Sequence, residues 1–382
     1  MKLFNSIFTP GKEASLDGLR ALAILLVLVT HIMQTIPGLS LVYGKVEWAT
    51  PLFNGWIGVD LFFVLSGFLV GGQVIRAIQN KHFSFTQFYL RRIFRIAPAY
   101  FSVITLIALA WYLFPSAQPY LSPIEISKSA LIKNFLFITD YFPTNIGIGS
   151  WSLSIEEQFY IVIPIVLTLL ARYRKNKEFI IFLSIIPICL ILRMFTYRYF
   201  DIGPGASTQT LFNLIYFPLH TRMDALAAGV CTFMLYQMEF SKVALPLIAA
   251  YLRFIGLMFV GFVLLTGALA GGWFETTLQY TIVALGFSFL LLGVLGDQRS
   301  TLTRLLSMAI WTPVARLSYS IYLTHILVIR IIQHVFESYN SHYLAALLMF
   351  FMSIIIAIPL YILIENPMHK FAQRNYVLTT QK

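Results

Sequence analysis

Ten times along this chain an apolar run of roughly twenty residues recurs, at about 15–36, 56–78, 98–115, 151–171, 179–197, 212–236, 245–267, 276–296, 317–336 and 343–364. A helix rises about 1.5 Å per residue, so each run matches the roughly 30 Å hydrocarbon core of a bilayer. Only 11% of the 382 residues are charged and 58% are apolar, whereas a soluble fold carries about 25% charged residues. A soluble domain is therefore excluded. In lipid every backbone N–H and C=O must be satisfied within the protein, which with runs this long leaves helices. The expected fold is all-α: a polytopic membrane helical bundle of about ten transmembrane helices, one integral-membrane domain spanning 1–382 with no appended soluble domain.

Ten spans place both termini on one side, and the basic residues say which. Nineteen of the 27 Lys and Arg fall in the segments that this arrangement puts in the cytoplasm, against four in the outer loops, Lys45, Lys128, Lys133 and Arg198. That bias predicts both termini in the cytoplasm. It also accounts for the net charge of +11, so no nucleic-acid partner is implied. The first span has a basic start but no small-x-small exit, so it is read as retained rather than cleaved. Cys189 and Cys231 lie within spans without ligand spacing, and neither a disulfide nor a metal site is expected.

Ionisable groups inside spans are costly and face other helices or a wet cavity. In the first span Asp17, Arg20 and His31 share one helical face, with Arg20 and His31 about 16 Å apart along the axis. Asp17 and Arg20 are equally readable as a cytoplasmic-edge anchor and its partner, whereas His31 has no snorkelling reach and is the candidate base. Asp60 is either a charge near a helix N-terminus or a partner of His31. Ser66 and the glycines after it allow close helix packing. Arg91, Arg92 and Arg95 fall within about one helical turn, as surface anchors or as donors to a phosphorylated ligand. Ser154 and Glu157 have capping-box spacing, while Glu156 has no such role. Arg222 and Asp224 follow Pro218, which can break the sixth span, and pair with each other or with other helices. His325 lies in the ninth span. The long segment 116–150 is read as a lid or as a lipid-surface helix.

Taken in order, these stretches resemble the membrane-bound acyltransferase 3 family. The resemblance rests on Leu16-Asp17-Gly18-Leu19-Arg20 with ten residues before His31, and on Gly58-Val59-Asp60 through Ser66-Gly67-Phe68. It continues in Arg91-Arg92-x-x-Arg95-Ile96-x-Pro98, Trp151-Ser152-Leu153-x-x-Glu156-Glu157, Ser318-Tyr319-x-x-Tyr322-x-x-His325 and Glu365-x-Pro367. It implies transfer of an acyl group, usually acetyl, from cytoplasmic acyl-coenzyme A to a hydroxyl of an extracytoplasmic glycan or lipid-linked glycan. O-antigen (the glycan of lipopolysaccharide), capsule and exopolysaccharide sugars are the expected acceptors, and the inner (cytoplasmic) membrane the expected location. Many members acting on envelope polymers carry a further soluble domain, which leaves the acceptor here less defined. On this reading Arg91, Arg92 and Arg95 hold the coenzyme A phosphates, and the pantetheine arm passes Arg20. His31 acts as general base or acyl carrier, oriented by Glu156, Glu157 or Asp60, and Arg20 or Ser66 steadies the oxyanion. Such an arm needs a narrow cavity between spans 1, 2 and 4. The competing class is a proton-coupled transporter or flippase using Arg20, His31, Arg222, Asp224 and His325, although no inverted repeat is visible.

Overall fold

The computed structural model describes residues 6–8, 13–36, 50–118, 124, 126–173, 177–203, 205–266, 271–336 and 341–376, and no strand occurs among them. In chain order the helices are α1 (Ala14–Met33), α2 (Ile57–Gln79), α3 (Phe85–Leu113), the short α4 (Lys128–Phe135), α5 (Ser150–Tyr173) and α6 (Glu178–Tyr199). They continue with α7 (Leu219–Gln237), α8 (Glu239–Thr266), α9 (Phe274–Gly296), the short α10 (Thr301–Leu306), α11 (Trp311–Phe336) and α12 (His342–Asn375). Nine of them, all but α4, α7 and α10, are long and apolar enough to cross a membrane.

The tenth expected span corresponds to α7, which has the length but not the apolar composition. Its surroundings explain why. α7 packs against α2, α6 and α9, and most of its residues from Thr221 to Phe233 are buried. Lipid does not reach this face, so it can carry charge. Arg222 Nη2 donates to both carboxylate oxygens of Asp60 on α2 at 2.9 Å. Arg193 of α6 donates to Asp224 at 2.8 Å, to the Thr277 carbonyl at 2.8 Å and to the Thr281 hydroxyl at 2.5 Å. A charge buried without its partner would be far costlier than the pair. The rings of Tyr216 and Tyr280 flank the Arg222 guanidinium at 4.9 and 4.3 Å.

Two element boundaries differ from the sequence expectation. The third span begins at Phe85 rather than near 98, because Ser84 caps the helix through its hydroxyl and the arginines are accommodated on the helix itself. The sixth is interrupted: a π turn covers Phe212–Tyr216, Pro218 is extended, and regular helix starts at Leu219. The carbonyls freed there do not open to a cavity, because the Thr221 hydroxyl donates to both Ile215 and Pro218 at 2.7 Å. In the long segment between α3 and α5, α4 exposes Ile132 and Phe135 and buries Asn134. Asn134 accepts from Tyr100 of α3 at 3.0 Å and donates to Thr144 at 2.7 Å. That is the geometry of a surface helix; the neighbouring 119–123 and 125 lie outside the described residues.

α1 sits against α2 and α11, and α11 against α12, so the inner group of α1, α2, α9 and α11 is wrapped by the greasier α6, α8 and α12. The contact of α2 with α7 is close enough to need glycine on both sides: a Cβ on Gly67 would lie 2.0 Å from the Leu226 carbonyl oxygen, and one on Gly229 2.1 Å from that of Val64. Such small-residue contacts let helix backbones approach in a membrane.

Candidate active site

α1, α2, α3, α5 and α11 leave a cavity of about 130 Å³ between them. Arg20 enters it from α1, Ser66 from α2, Arg92 and Arg95 from α3, Glu156 and Tyr160 from α5, and Tyr319 and Tyr322 from α11. Helical spacing explains the selection: Arg92 and Arg95 stand at i and i+3, Glu156 and Tyr160 at i and i+4, so each pair shares a face. Ser66 ends the regular turns of α2, and a π turn, Gly67–Gly71, follows immediately.

Three guanidinium groups meet in this space with one lining carboxylate, Glu156. Arg92 donates to Gln73 at 2.8 Å and lies 5.3 Å above the Tyr160 ring. Among the described residues Arg20 and Arg95 make neither a hydrogen bond nor a salt bridge, so their donors face the cavity. Glu156 is engaged: the Ser66 hydroxyl donates to its Oε1 at 2.5 Å and lies 3.1 Å from the Tyr160 hydroxyl. The adjacent Glu157 Oε1 is buried without a hydrogen-bond partner among the described residues. On α11, Tyr319 donates to the Ile96 carbonyl at 2.9 Å, and Tyr322 donates to the Gly149 carbonyl at 3.0 Å and meets the Ser152 hydroxyl. In the segment between α3 and α5, burial pushes the Asp140 carboxyl above the ordinary range, partly countered by donation from Gln158 at 2.8 Å.

His31 stands apart from the cavity lining. Its Nδ1 lies 2.9 Å from the Val27 carbonyl and 3.4 Å from His325 Nε2, with the rings centred 5.0 Å apart. His325 is fully buried and its ring centre is 5.7 Å from that of Tyr322, which does line the cavity. The structure thus brings His31 and His325 together and joins them to the cavity through Tyr322.

The expected carboxylate partners of His31 are placed elsewhere. Asp60 is taken by Arg222, Glu156 by Ser66, and neither these nor Glu157 is bonded to the imidazole. Arg222 and Asp224 do not pair with each other; each reaches a different helix. The three arginines of α3 also divide. Arg92 and Arg95 face the cavity, whereas Arg91 Nε donates to the Tyr376 carbonyl beyond α12, where the Phe94 ring stacks on Tyr376 at 5.9 Å. Asp17 is buried one turn before Arg20, beside Gly18, whose added Cβ would lie 2.0 Å from the Leu306 carbonyl oxygen of α10. Sequence reasoning assigned no role to Tyr160, met only at the end of the 151–160 stretch, or to Arg193, placed only inside a span. The signal for Tyr160 was its i+4 spacing from Glu156, and for Arg193 its place within an otherwise apolar span.

The structure is a helical membrane bundle whose interior cavity is lined by cations, with paired histidines behind it. The acyltransferase 3 model, an acyltransferase domain, matches residues 13–363, and the chain belongs to that family. It is 28% identical over 380 residues to the peptidoglycan O-acetyltransferase OatA of Listeria monocytogenes, covering 95% of this chain and 56% of that protein. To O-acetyltransferase OatA of Staphylococcus aureus it is 25% identical over 335 residues, 85% of this chain and 52% of the relative. An uncharacterised Haemophilus influenzae protein is 38% identical over 128 residues, 31% of this chain and 51% of that protein. The chain therefore spans about half the length of these relatives. No solved structure matches it.

Proposed function

We propose that this membrane acyltransferase is an O-acetyltransferase that takes acetyl from cytoplasmic acetyl-coenzyme A and passes it to a hydroxyl of a glycan outside the membrane. The observation that carries this reading is the convergence of three guanidiniums, Arg20, Arg92 and Arg95, on one interior cavity. Three guanidiniums against one lining carboxylate, Glu156, suit an anionic ligand, and guanidinium is suited to phosphate. The donor's phosphates sit on Arg92 and Arg95, and its pantetheine arm extends past Arg20 toward His31, a rise of about 16 Å along α1. The lysine and arginine bias supports both termini and the arginine end of the cavity lying on the cytoplasmic side of the inner membrane. The peptidoglycan O-acetyltransferase among the relatives supports a cell-envelope glycan, peptidoglycan first, as the acceptor class.

At the outer end the acceptor oxygen attacks the thioester carbonyl, the carbon–sulfur bond breaks, and the hydroxyl proton moves to His31 Nε2 and then to the departing sulfur. General-base assistance of this kind contributes about 10²–10⁴-fold. Arg20, about 16 Å from His31 along α1, serves the donor arm rather than the developing oxyanion.

Purified protein in lipid vesicles, given radiolabelled acetyl-coenzyme A and a peptidoglycan fragment, tests this. His31→Ala should lose about 100-fold or more in transfer while still binding the donor. Arg95→Ala should weaken donor binding by about 10-fold or more, the scale of a lost charge-assisted hydrogen bond. Wild type that neither binds nor consumes acetyl-coenzyme A would overturn the reading.

A further inference from the structure

Each histidine of the pair has Nδ1 directed at a backbone carbonyl near the preceding turn of its own helix. For His31 the acceptor is Val27 at 2.9 Å; for His325 the acceptors are Tyr322 at 2.8 Å and Ile321 at 3.1 Å. A carbonyl oxygen only accepts, so both Nδ1 atoms carry hydrogen. In the neutral imidazole His325 Nε2 then bears the lone pair, and it lies 3.4 Å from His31 Nδ1. The His31 N–H is therefore shared between a carbonyl and a second imidazole. His31 Nε2 is left as a lone pair with no hydrogen-bond partner among the described residues, on a ring that is only half-buried.

We infer that His325 is the positioning residue of the transfer site, filling with a neutral imidazole the place where a carboxylate would ordinarily orient a catalytic histidine. The nitrogen opposite a histidine's reactive nitrogen sets the tautomer by the bond it makes. Here the Val27 carbonyl fixes the donor and His325 fixes the plane of the ring, so that Nε2 is held toward the acceptor hydroxyl. The inference rests on the acetyl-transfer reading for its kinetic consequence, though the ring geometry can be tested without it. It also has a chemical consequence. His325 is fully buried and its own N–H ends on backbone carbonyls, so the pair offers no onward route for a proton. A proton accepted at His31 Nε2 can leave only by the way it came, and the departing sulfur is its natural destination.

The test uses the full chain in nanodiscs with ring-¹⁵N histidine, comparing wild type, His325→Leu and His325→Gln, the last because a Gln carbonyl oxygen can reach the position of Nε2 as an acceptor. In wild type, His31 should show the Nδ1–H tautomer. His325→Leu should keep the Nδ1–H tautomer but broaden the His31 ring signal as the ring plane is freed, and lower kcat for acetyl transfer by about 10-fold or more, the scale seen when an orienting partner is removed. KM for acetyl-coenzyme A should be unchanged, and His325→Gln should restore most of both. A wild-type His31 in the Nε2–H tautomer overturns the inference whatever the activity. So does folded His325→Leu with wild-type kcat, or a Gln variant no better than Leu. A wild type showing the expected tautomer but no use of acetyl-coenzyme A would overturn the transfer reading and leave the ring assignment standing.

Discussion

Asp60 and Arg222 are each essentially inaccessible to solvent, and their value to the protein lies in being present together. Replacing Asp60 by Leu strands a guanidinium in the interior, and removal of one partner of a buried pair costs about 3–5 kcal/mol. Thermal unfolding in detergent should register that loss, and Asp60→Leu with Arg222→Met should recover most of it; a single variant as stable as wild type would show that the pair does not hold α2 to α7. These residues were legible in the sequence as charges within spans, and Arg20 and His31 were legible as one face of one helix. Their partners were not. Asp60 and Arg222 are 162 positions apart, His31 and His325 294 apart, and helical periodicity reports only neighbours three or four residues away. The face of α11 that carries Ser318, Tyr322 and His325 was readable; what stood opposite it was not.

At the level of helices, length and apolarity located nine spans, because the bilayer fixes both quantities for any segment that faces lipid. They said less about α7, which faces protein, and about the start of α3, where a capped amphipathic turn precedes the apolar run. The closeness of α2 and α7 gives a sharp expectation. Gly67→Ala drives a methyl into the Leu226 carbonyl and should cost about 1–3 kcal/mol, the range for overpacking. It would be read as lower folded yield and earlier unfolding. Gly261→Ala, with nothing within 4 Å of the added carbon, should leave both unchanged and serves as the control.

For the whole molecule, the prediction concerns sidedness. Both native cysteines are buried, so the wild-type protein should be silent to a membrane-impermeant thiol reagent. Phe142→Cys, on the exposed outer segment, should label in intact cells, and Arg299→Cys, in the exposed turn after α9, only after the membrane is opened. The reverse pattern would invert the bundle and detach the arginines of α3 from any cytoplasmic donor.

The placement of α7 also bears on how the chain is made. Arg222 and Asp224 lie in the first two turns of α7 and charged groups in a lone helix disfavour its entry into lipid, so α7 is a poor candidate for insertion by itself. The groups that neutralise it, Asp60 on α2 and Arg193 on α6, are both synthesised before it, and the tyrosine and threonines that complete the cage come afterwards on α9. Translation order thus delivers the counter-charges first. The helix most hostile to lipid reaches the membrane when both of its counter-charges are already there to receive it.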